Sequence, residues 1–290
     1  MRLVTFRQQA SGRPQLFRIG SVISGGQIAD LTPFVSDKGL TARELLNCYD
    51  LDSDFLKNAR ASVADARAIA RNSVVAVAPI PEPRKIICIG LNYRDHAEES
   101  GMAIPALPII FSKFSTCVIG SGDAIRIPRG STQVDYEAEL AVVIGRTAKN
   151  VAAADAMDHV FGYTNFNDVS ARDFQFTDGQ WQRGKSCDTF APIGPFVATV
   201  DEISDPHQLN IRFRLNGETL QDSNTCQLIF KIPELIEFLS SSITLEPGDV
   251  IATGTPPGVG FARKPPIFMK PGDVAEVEID GLGTLSNPVV

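Results

Sequence analysis

Short apolar runs bounded by glycine, proline and polar residues recur along the chain and predict a mainly β-structure. The clearest run is 140–144, which is apolar, rich in β-branched side chains and closed by Gly145. Apolar residues at helical spacing occur in fewer segments, among them 92–100 and 232–239. We therefore predict an α+β fold that is mainly β.

The first 75 residues are predicted to form a small N-terminal α/β domain. Strand patterns precede helical patterns there, at 3–6, 16–23, 27–31, 41–46 and 53–70. The proline-rich stretch 78–83 that follows has extended character and is typical of a connector. The chain is thus predicted to divide into residues 1–75 and 76–290.

Composition and charge narrow the possible functions. Of the 290 residues, 43% are hydrophobic and 21% are charged, which is ordinary for a globular protein with a sizeable core. The net charge of -7 and the pI near 5.1 argue against nucleic acid or an anionic membrane as a partner, because both attract basic surfaces. A small anionic substrate is compatible with this charge, since a site can be locally positive.

Cysteine usage and the N-terminus predict a soluble, cytoplasmic protein. The five cysteines are odd in number, widely spaced and without a C-x-x-C pair, so neither a disulfide framework nor a zinc knuckle is expected. The first residues lack the apolar run of a signal peptide, and no window has the roughly 20 apolar residues of a membrane span.

Acidic residues lead into the central strand, where apolar residues are usual. Asp135, Glu137 and Glu139 lie at period two, so they share one face if the strand extends backwards from Leu140. Two carboxylates about 4 Å apart repel by about 4 kcal/mol at an effective dielectric near 20. Such a cluster is either a solvated strand end or a site for a divalent cation. Because no cysteine or histidine lies nearby in the sequence, Mg²⁺, Mn²⁺ or Ca²⁺ suits it better than Zn²⁺.

Polar side chains with catalytic potential stand on the neighbouring elements. His96 and Glu99 are neighbours on one helix face, either as a surface pair or as an oriented general base. Lys113 ends an apolar strand and could simply extend to solvent. Asp168 lies at a strand-to-helix junction, where N-capping is the ordinary role. Lys185, on a polar loop flanked by glycine, can reach into a cleft.

Two further features could bind an anion. Arg172 and Gln175 share one side of the helix after Asp168, where Arg172 suits either a substrate carboxylate or an ion pair with Asp168. The glycine-rich loop 253–260 can present backbone N–H groups to an anion. It matches neither the phosphate-binding loop pattern nor a dinucleotide fingerprint, so nucleotide cofactors are not expected.

In chain order these motifs resemble the fumarylacetoacetate hydrolase family. The resemblance covers residues 84–290 and rests on I-G-L-N-Y-x-x-H-x-x-E from Ile89, D-x-E-x-E-L from Asp135, N-D-V-S-A-R-D-x-Q from Asn167, G-K-S from Gly184 and T-G-T-P-x-G-V-G from Thr253. It implies a mixed β-roll catalytic domain, usually a homodimer, with Mg²⁺ or Mn²⁺ held by Glu137, Glu139 and Asp168. It also implies a mobile lid helix with His96 and Glu99 as a catalytic pair, and a catalytic role for Lys185.

The reaction that the resemblance implies is hydrolysis of a 2,4-diketo acid. The metal would act as Lewis acid and template for the keto-acid end. His96, oriented by Glu99, would take a proton from water, and the hydroxide would attack C4 and break the C3–C4 bond. Lys185 would help to stabilise the pyruvate enolate. The carboxylate end would be bound by Arg172, Gln175, Thr255 and Lys113.

Segments 179–185, 261–266 and 281–283 look most like those of bacterial 2,4-diketo-3-deoxy-sugar-acid hydrolases. We therefore predict cleavage of 2,4-diketo-3-deoxy-L-rhamnonate, or of the equivalent from L-fuconate, to pyruvate and L-lactate in L-rhamnose catabolism. Acylpyruvate hydrolysis, oxaloacetate decarboxylation and keto–enol tautomerisation are the alternatives within the family. A non-catalytic ligand-binding protein is disfavoured, because a binder needs neither His96 nor Glu99.

Overall fold

The computed structural model of the protein describes residues 1–8, 16–177 and 179–290. Its strands are β1 Arg2–Gln8, β2 Arg18–Val22, β3 Gln27–Asp30, β4 Ala68–Ala70, β5 Val74–Val77, β6 Ile86–Gly90, β7 Ile109–Lys113, β8 Val118–Ile119, β9 Val134–Asp135, β10 Ala138–Ile144, β11 Val160–Asn167, β12 Ser170–Ala171, β13 Ala191–Thr199, β14 Asn210–Leu215, β15 Glu218–Asn224, β16 Val250–Ala252, β17 Val274–Ile279 and β18 Gly283–Pro288. Its α-helices are α1 Ala42–Leu46, α2 Asp54–Ser62, α3 Arg94–Ser100, α4 Arg172–Gln175, α5 Gln182–Lys185 and α6 Ile232–Ser242. The predicted α+β, mainly β class is confirmed.

A mixed sheet of twelve strands forms the centre of the molecule. Its order is β4-β3-β2-β1-β13-β11-β10-β16-β6-β7, with β5 also paired to β1 and β8 to β13. The β16–β6 and β13–β8 pairs are parallel, and the other pairs in this sheet are antiparallel. A four-stranded sheet, β15-β14-β17-β18, and the short pair β12-β9 complete the β-structure.

The central sheet curls into a roll. In the strand order β7 is four strands from β11, about 19 Å across a flat sheet at roughly 4.8 Å per strand. Yet Nζ of Lys113, the last residue of β7, lies 2.5 Å from Oδ1 of Asp168, the residue after β11. The curvature that this contact requires confirms the predicted mixed β-roll.

The N-terminal strands continue the central sheet. Strand β1 pairs antiparallel with β13, with Leu3 opposite Val197. The Tyr49 ring packs edge-on against Phe161 of β11, with the ring centroids 5.0 Å apart. Residues 1–75 therefore share packing with the strands that carry the site described below, and the division into two domains at residue 75 stays a prediction.

The two N-terminal helices show what local sequence can predict. Helix α1 begins as predicted, because Thr41 and Glu44 form a reciprocal capping box. Helix α2 is shorter than the predicted segment 53–70 and ends at Ser62. The end of that segment instead forms β4, which pairs with β3. Here long-range strand pairing overrides local helical propensity.

Candidate active site

Three carboxylates meet where strand β10 begins and strand β11 ends. These strands are antiparallel with Ala138 opposite Asn167, so the residue before β10 lies beside the residue after β11. The backbone N–H of Asp168 accordingly donates to the carbonyl of Glu137 at 2.9 Å. One carboxylate oxygen each from Glu137, Glu139 and Asp168 lies within 4.8 Å of the other two, and all three residues are buried.

Three buried cations surround these carboxylates. Lys185 Nζ donates to Glu137 Oε2 at 2.9 Å and to Asp168 Oδ2 at 2.8 Å. Arg172 Nη2 donates to Glu137 Oε1 at 2.6 Å. Lys113 Nζ donates to Asp168 Oδ1 at 2.5 Å. Because the pairs are shielded from water, their Coulomb attraction is much stronger than that of a surface pair.

The two glutamates differ in their electrostatic surroundings. Burial raises the pKa of Glu137, but Lys185 and Arg172 outweigh this effect and hold that pKa at about 2. For Glu139, burial and the charges of Asp168 and Glu137 all raise its pKa well above the ordinary value. Glu139 Oε2 accepts the backbone N–H of Gly254 at 2.9 Å but forms no ion pair with a cation of the described residues. Glu139 is therefore the carboxylate of this cluster that has no cation as an ion-pair partner within the described ranges.

These residues fit a divalent metal ion. When all four buried carboxylates, Asp135 included, are ionised, they exceed the three buried cations, Lys113, Arg172 and Lys185, by one negative charge, which a bound cation would offset. Carboxylate oxygens are the hard ligands that Mg²⁺ and Mn²⁺ prefer. The cluster of Glu137, Glu139 and Asp168 can therefore hold such an ion.

Asp135 does not belong to this cluster, so the predicted alignment of three acidic residues along one strand is wrong. The strand is interrupted between β9 and β10. Asp135 Oδ1 accepts the N–H of Gly260 at 2.7 Å, and its Oδ2 accepts the N–H of Phe261 at 3.1 Å. Arg172 Nε also donates to Oδ2 at 2.9 Å. Asp135 thus ties the glycine-rich loop to Arg172.

The lysine and aspartate predictions need correction. Lys113 does not extend to solvent, because its side chain is 0% exposed and Nζ also donates to the Val169 carbonyl at 2.9 Å. Asp168 is not the N-cap of α4, which begins at Arg172 after Ala171. Its carboxylate instead accepts from both Lys113 and Lys185.

The predicted substrate-binding residues are engaged with other parts of the protein. Arg172 binds Asp135 and Glu137, and its Nη1 donates to Gln175 Oε1 at 2.9 Å. The alternative prediction, an ion pair between Arg172 and Asp168, is therefore wrong. Arg172 pairs with Asp135 and Glu137 instead. Thr255 Oγ1 accepts from Gln221 Nε2 at 2.9 Å. Sequence reasoning missed Gln221, because a buried glutamine on a strand carries no local signal.

His96 and Glu99 form the pair that their spacing predicts. His96 Nδ1 lies 3.2 Å from Glu99 Oε2 on α3, which ends at the left-handed Gly101. The Glu99 carboxylate also accepts the backbone N–H of Gly258, at 3.0 and 3.1 Å to its two oxygens. With Nδ1 donating to Glu99, the basic lone pair of His96 lies on Nε2.

The glycine-rich loop 253–260 joins this pair to the carboxylate cluster. The prediction that its backbone N–H groups bind anions is confirmed. The anions are carboxylates of the protein's own side chains. Gly254 binds Glu139, Gly258 binds Glu99 and Gly260 binds Asp135. One rigid segment therefore fixes both halves of the site relative to each other.

Gly184 allows the Lys185 backbone to approach the cluster closely. A Cβ at this position would lie 2.6 Å from the backbone nitrogen of Gln175 and 2.7 Å from the carbonyl oxygen of Ala171. We expect Gly184→Ala to lower the free energy of unfolding by about 1–3 kcal/mol, because α5 must move away from α4. Urea unfolding measures this change. An unchanged midpoint and slope would contradict the close packing of the two helices.

A buried carboxylate trio that one loop connects to an oriented histidine is typical of an enzyme that uses a divalent metal ion. Residues 85–290 match the family described as fumarylacetoacetate (FAA) hydrolase C-terminal. The chain belongs to the fumarylacetoacetate hydrolase family of enzymes, and the resemblance seen in its motifs is confirmed.

Similar proteins span the whole chain. The mitochondrial oxaloacetate tautomerase fahd2 of Xenopus laevis is 49% identical over 294 residues, covering 100% of this chain and 90% of the relative. The fumarylacetoacetate hydrolase of Exiguobacterium antarcticum is 36% identical with a TM-score of 0.85, over 100% of this chain and 99% of that one. The maleylpyruvate hydrolase of Sphingobium sp. SYK-6, solved with manganese(II) and pyruvate, is 32% identical with a TM-score of 0.82 and the same coverage.

The predicted cytoplasmic location is wrong by this comparison, because the Xenopus relative is a mitochondrial protein. Unpaired cysteines indicate a reducing compartment but do not say which one. In the described part of the chain, none of the helices has both the length and the apolar character to cross a membrane.

Proposed function

We propose that the protein catalyses the keto–enol tautomerisation of oxaloacetate. The observation that carries the proposal is the full-length similarity, at 49% identity, to an oxaloacetate tautomerase. The His96–Glu99 pair supports it, since this reaction needs a base for a proton next to a ketone. This proposal replaces the sugar-acid hydrolysis that was predicted from loop segments. Keto–enol tautomerisation was one of the alternatives predicted within the family.

Glu137, Glu139 and Asp168 are proposed to hold Mg²⁺ or Mn²⁺. When bound, the ion would supply Lewis acidity and a template for the 2-keto acid end of the substrate. The donor set supports this assignment, because it consists of carboxylate oxygens and because Glu139 has no ion-pair partner among the described residues.

His96 is proposed to transfer the proton at C3 of the substrate, and Glu99 is proposed to orient His96. His96 Nε2 takes a proton from C3, and the C–H electron pair becomes the C2–C3 double bond. The C2 oxygen gains negative charge and takes up a proton from water, while the His96 imidazolium returns its proton to water, so the keto form becomes the enol without redox change. Glu99 holds the imidazole in the orientation that this transfer requires and stabilises the imidazolium.

Lys185 and Arg172 are proposed to stabilise the charge that develops on the substrate. Both are buried beside Glu137, and burial strengthens their electrostatic effect. Asp168 and Glu137 outweigh the effect of burial and raise the pKa of Lys185, so its ammonium group stays charged. Gln175, Thr255 and Lys113 are proposed to complete the carboxylate-binding side, and the homodimer that the family implies is proposed for the assembly.

Hydrolysis of an acylpyruvate is a second candidate. The maleylpyruvate hydrolase of Sphingobium shares this fold at 32% identity, and an oriented histidine can also activate water. The two reactions differ in product, since hydrolysis releases pyruvate and tautomerisation releases none.

One assay separates the candidates. Purified protein loaded with Mn²⁺ is mixed with freshly dissolved enol-oxaloacetate, and the ultraviolet absorbance of the enol is followed while lactate dehydrogenase and NADH report pyruvate. We expect enol decay faster than in buffer with Mn²⁺ alone, without matching pyruvate release. Enol decay at the buffer rate would contradict the proposal, and pyruvate release from maleylpyruvate would favour the second candidate.

A further inference from the structure

Gly258 is a junction between the His96–Glu99 pair and the four-stranded sheet. It has φ +98°, and a Cβ there would lie 2.2 Å from the carbonyl oxygen of Leu220, so only glycine fits. Its N–H donates to Glu99. Its carbonyl, on the other side of the same Cα, faces the sheet. A glycine has little conformational preference of its own, so its hydrogen bonds decide how both flanking peptides are oriented.

Arg263 holds the second of these peptides. Its Nε donates to the Gly258 carbonyl at 3.1 Å, and its Nη2 donates to the Leu220 carbonyl. Tyr136 Oη donates to the same Gly258 carbonyl at 3.2 Å. Arg263 forms no ion pair with a carboxylate in the parts of the chain that the structure describes. Its guanidinium donates to the two backbone carbonyls, and such charge-assisted hydrogen bonds are strong.

Tyr136 and Leu220, which contact the Gly258 carbonyl and Arg263 respectively, are themselves held by further contacts. The Tyr136 ring stacks on Phe213 with the centroids 4.0 Å apart and an interplanar angle of 3°. Leu220 precedes Gln221 on β15, and Gln221 donates to Thr255 and to the Pro256 carbonyl. The loop 253–260 is thus braced against β15 at both ends of this network.

We propose that Arg263 is a positioning residue for the reaction. It fixes the peptide plane that follows Gly258, and through this residue it limits the orientation of the N–H that holds Glu99 in place to orient His96. This inference rests on the proposed function, because it assigns His96 and Glu99 to the chemistry. Arg263 acts through Gly258 and Glu99 and does not touch the substrate.

The kinetic test is a double-mutant cycle on kcat for oxaloacetate tautomerisation. We expect Arg263→Met to lower kcat by about tenfold, in the range found for residues that support a catalytic group, with KM little changed. In a Glu99→Ala background the same substitution should lower kcat by much less, because the side chain through which it acts is already removed. Arg263→Lys should restore part of the rate, and Arg212→Met, which removes a surface arginine of the neighbouring β14, should have no effect.

Two kinetic outcomes would overturn the proposal. Equal losses of kcat from Arg263→Met in the wild-type and Glu99→Ala backgrounds would show that Arg263 acts independently of Glu99. A raised KM with unchanged kcat would assign Arg263 to substrate binding.

A second readout does not depend on activity. The sequence has three Pro–Gly pairs, 247–248, 257–258 and 271–272, so labelling with ¹³C′-proline and ¹⁵N-glycine leaves three amide signals, one of them Gly258. We expect its hydrogen exchange to accelerate about tenfold or more in Arg263→Met, because the N–H is no longer held towards Glu99, and in Glu99→Ala, because its acceptor is removed. The other two signals should be unchanged, as should all three in Arg212→Met.

The exchange experiment separates failure of this inference from failure of the proposed function. If oxaloacetate is not turned over but Gly258 exchanges faster in Arg263→Met, the function is wrong and the coupling stands. If Gly258 exchange is unchanged in Arg263→Met, the coupling is wrong whatever the substrate is.

Discussion

Replacing His96 with glutamine is expected to lower kcat for oxaloacetate tautomerisation by about 10²- to 10⁴-fold, the contribution typical of a positioned general base. Glutamine keeps a polar side chain of similar length but cannot accept and carry the C3 proton. KM should change little, because His96 is not assigned to substrate binding. The measurement is the initial rate of enol decay at saturating oxaloacetate and Mn²⁺.

His159→Gln is the matched control for this experiment. The His159 imidazole contacts the Arg146 carbonyl, away from the carboxylate cluster, so its replacement should leave kcat unchanged. A His96→Gln enzyme with the wild-type kcat would show that another group is the base, and Glu99 would then lose its assigned role as well.

Replacing Glu139 with glutamine is expected to weaken Mn²⁺ binding by about 10³-fold or more. A unit charge about 4 Å away contributes about 4 kcal/mol at an effective dielectric near 20, and about 1.4 kcal/mol is a factor of ten in affinity. Glutamine keeps the size of the side chain and an oxygen for the Gly254 N–H, so the fold should be retained. Isothermal titration calorimetry of the metal-free protein measures the affinity.

Glu98→Gln removes an exposed glutamate from α3 and serves as the control for a change of net charge. It should leave the Mn²⁺ affinity within about twofold of wild type, since exposed charges are screened. Equal affinities for wild type and Glu139→Gln would remove Glu139 from the metal site.

The strands of the site were predictable because their residues are buried on both faces. The apolar runs that form β10 and β11 stand out in the sequence, and every residue of both strands is buried. Antiparallel pairing of these two strands is sufficient to bring Glu137 beside Asp168. The spacing of His96 and Glu99 likewise fixes their contact, because residues three apart on a helix are neighbours.

The cations of the site could not be placed from the sequence. Lys113 reaches Asp168 only because the central sheet curls, and that curvature is a property of the whole sheet. Arg172 was expected to bind a substrate or Asp168, but the break between β9 and β10 turns Asp135 towards it. The interruption covers residues 136 and 137, and no local pattern in the sequence marks it.

The loop 253–260 shows how far a correct local prediction extends. Its glycines indicated backbone N–H groups that bind anions, and the structure has them bound to Glu139, Glu99 and Asp135. The sequence could not identify these anions, since each lies more than a hundred residues earlier in the chain. The roles of Gln221 and Arg263 were missed because both bind backbone carbonyls, and no local sequence signal marks a side chain that does so.

The most direct test of this account is a crystal of the protein soaked with Mn²⁺ and measured near the manganese absorption edge. We predict one anomalous peak about 2 Å from a carboxylate oxygen of each of Glu137, Glu139 and Asp168. A peak at another place, or none between these three side chains at millimolar Mn²⁺, would contradict the metal site and the mechanism built on it.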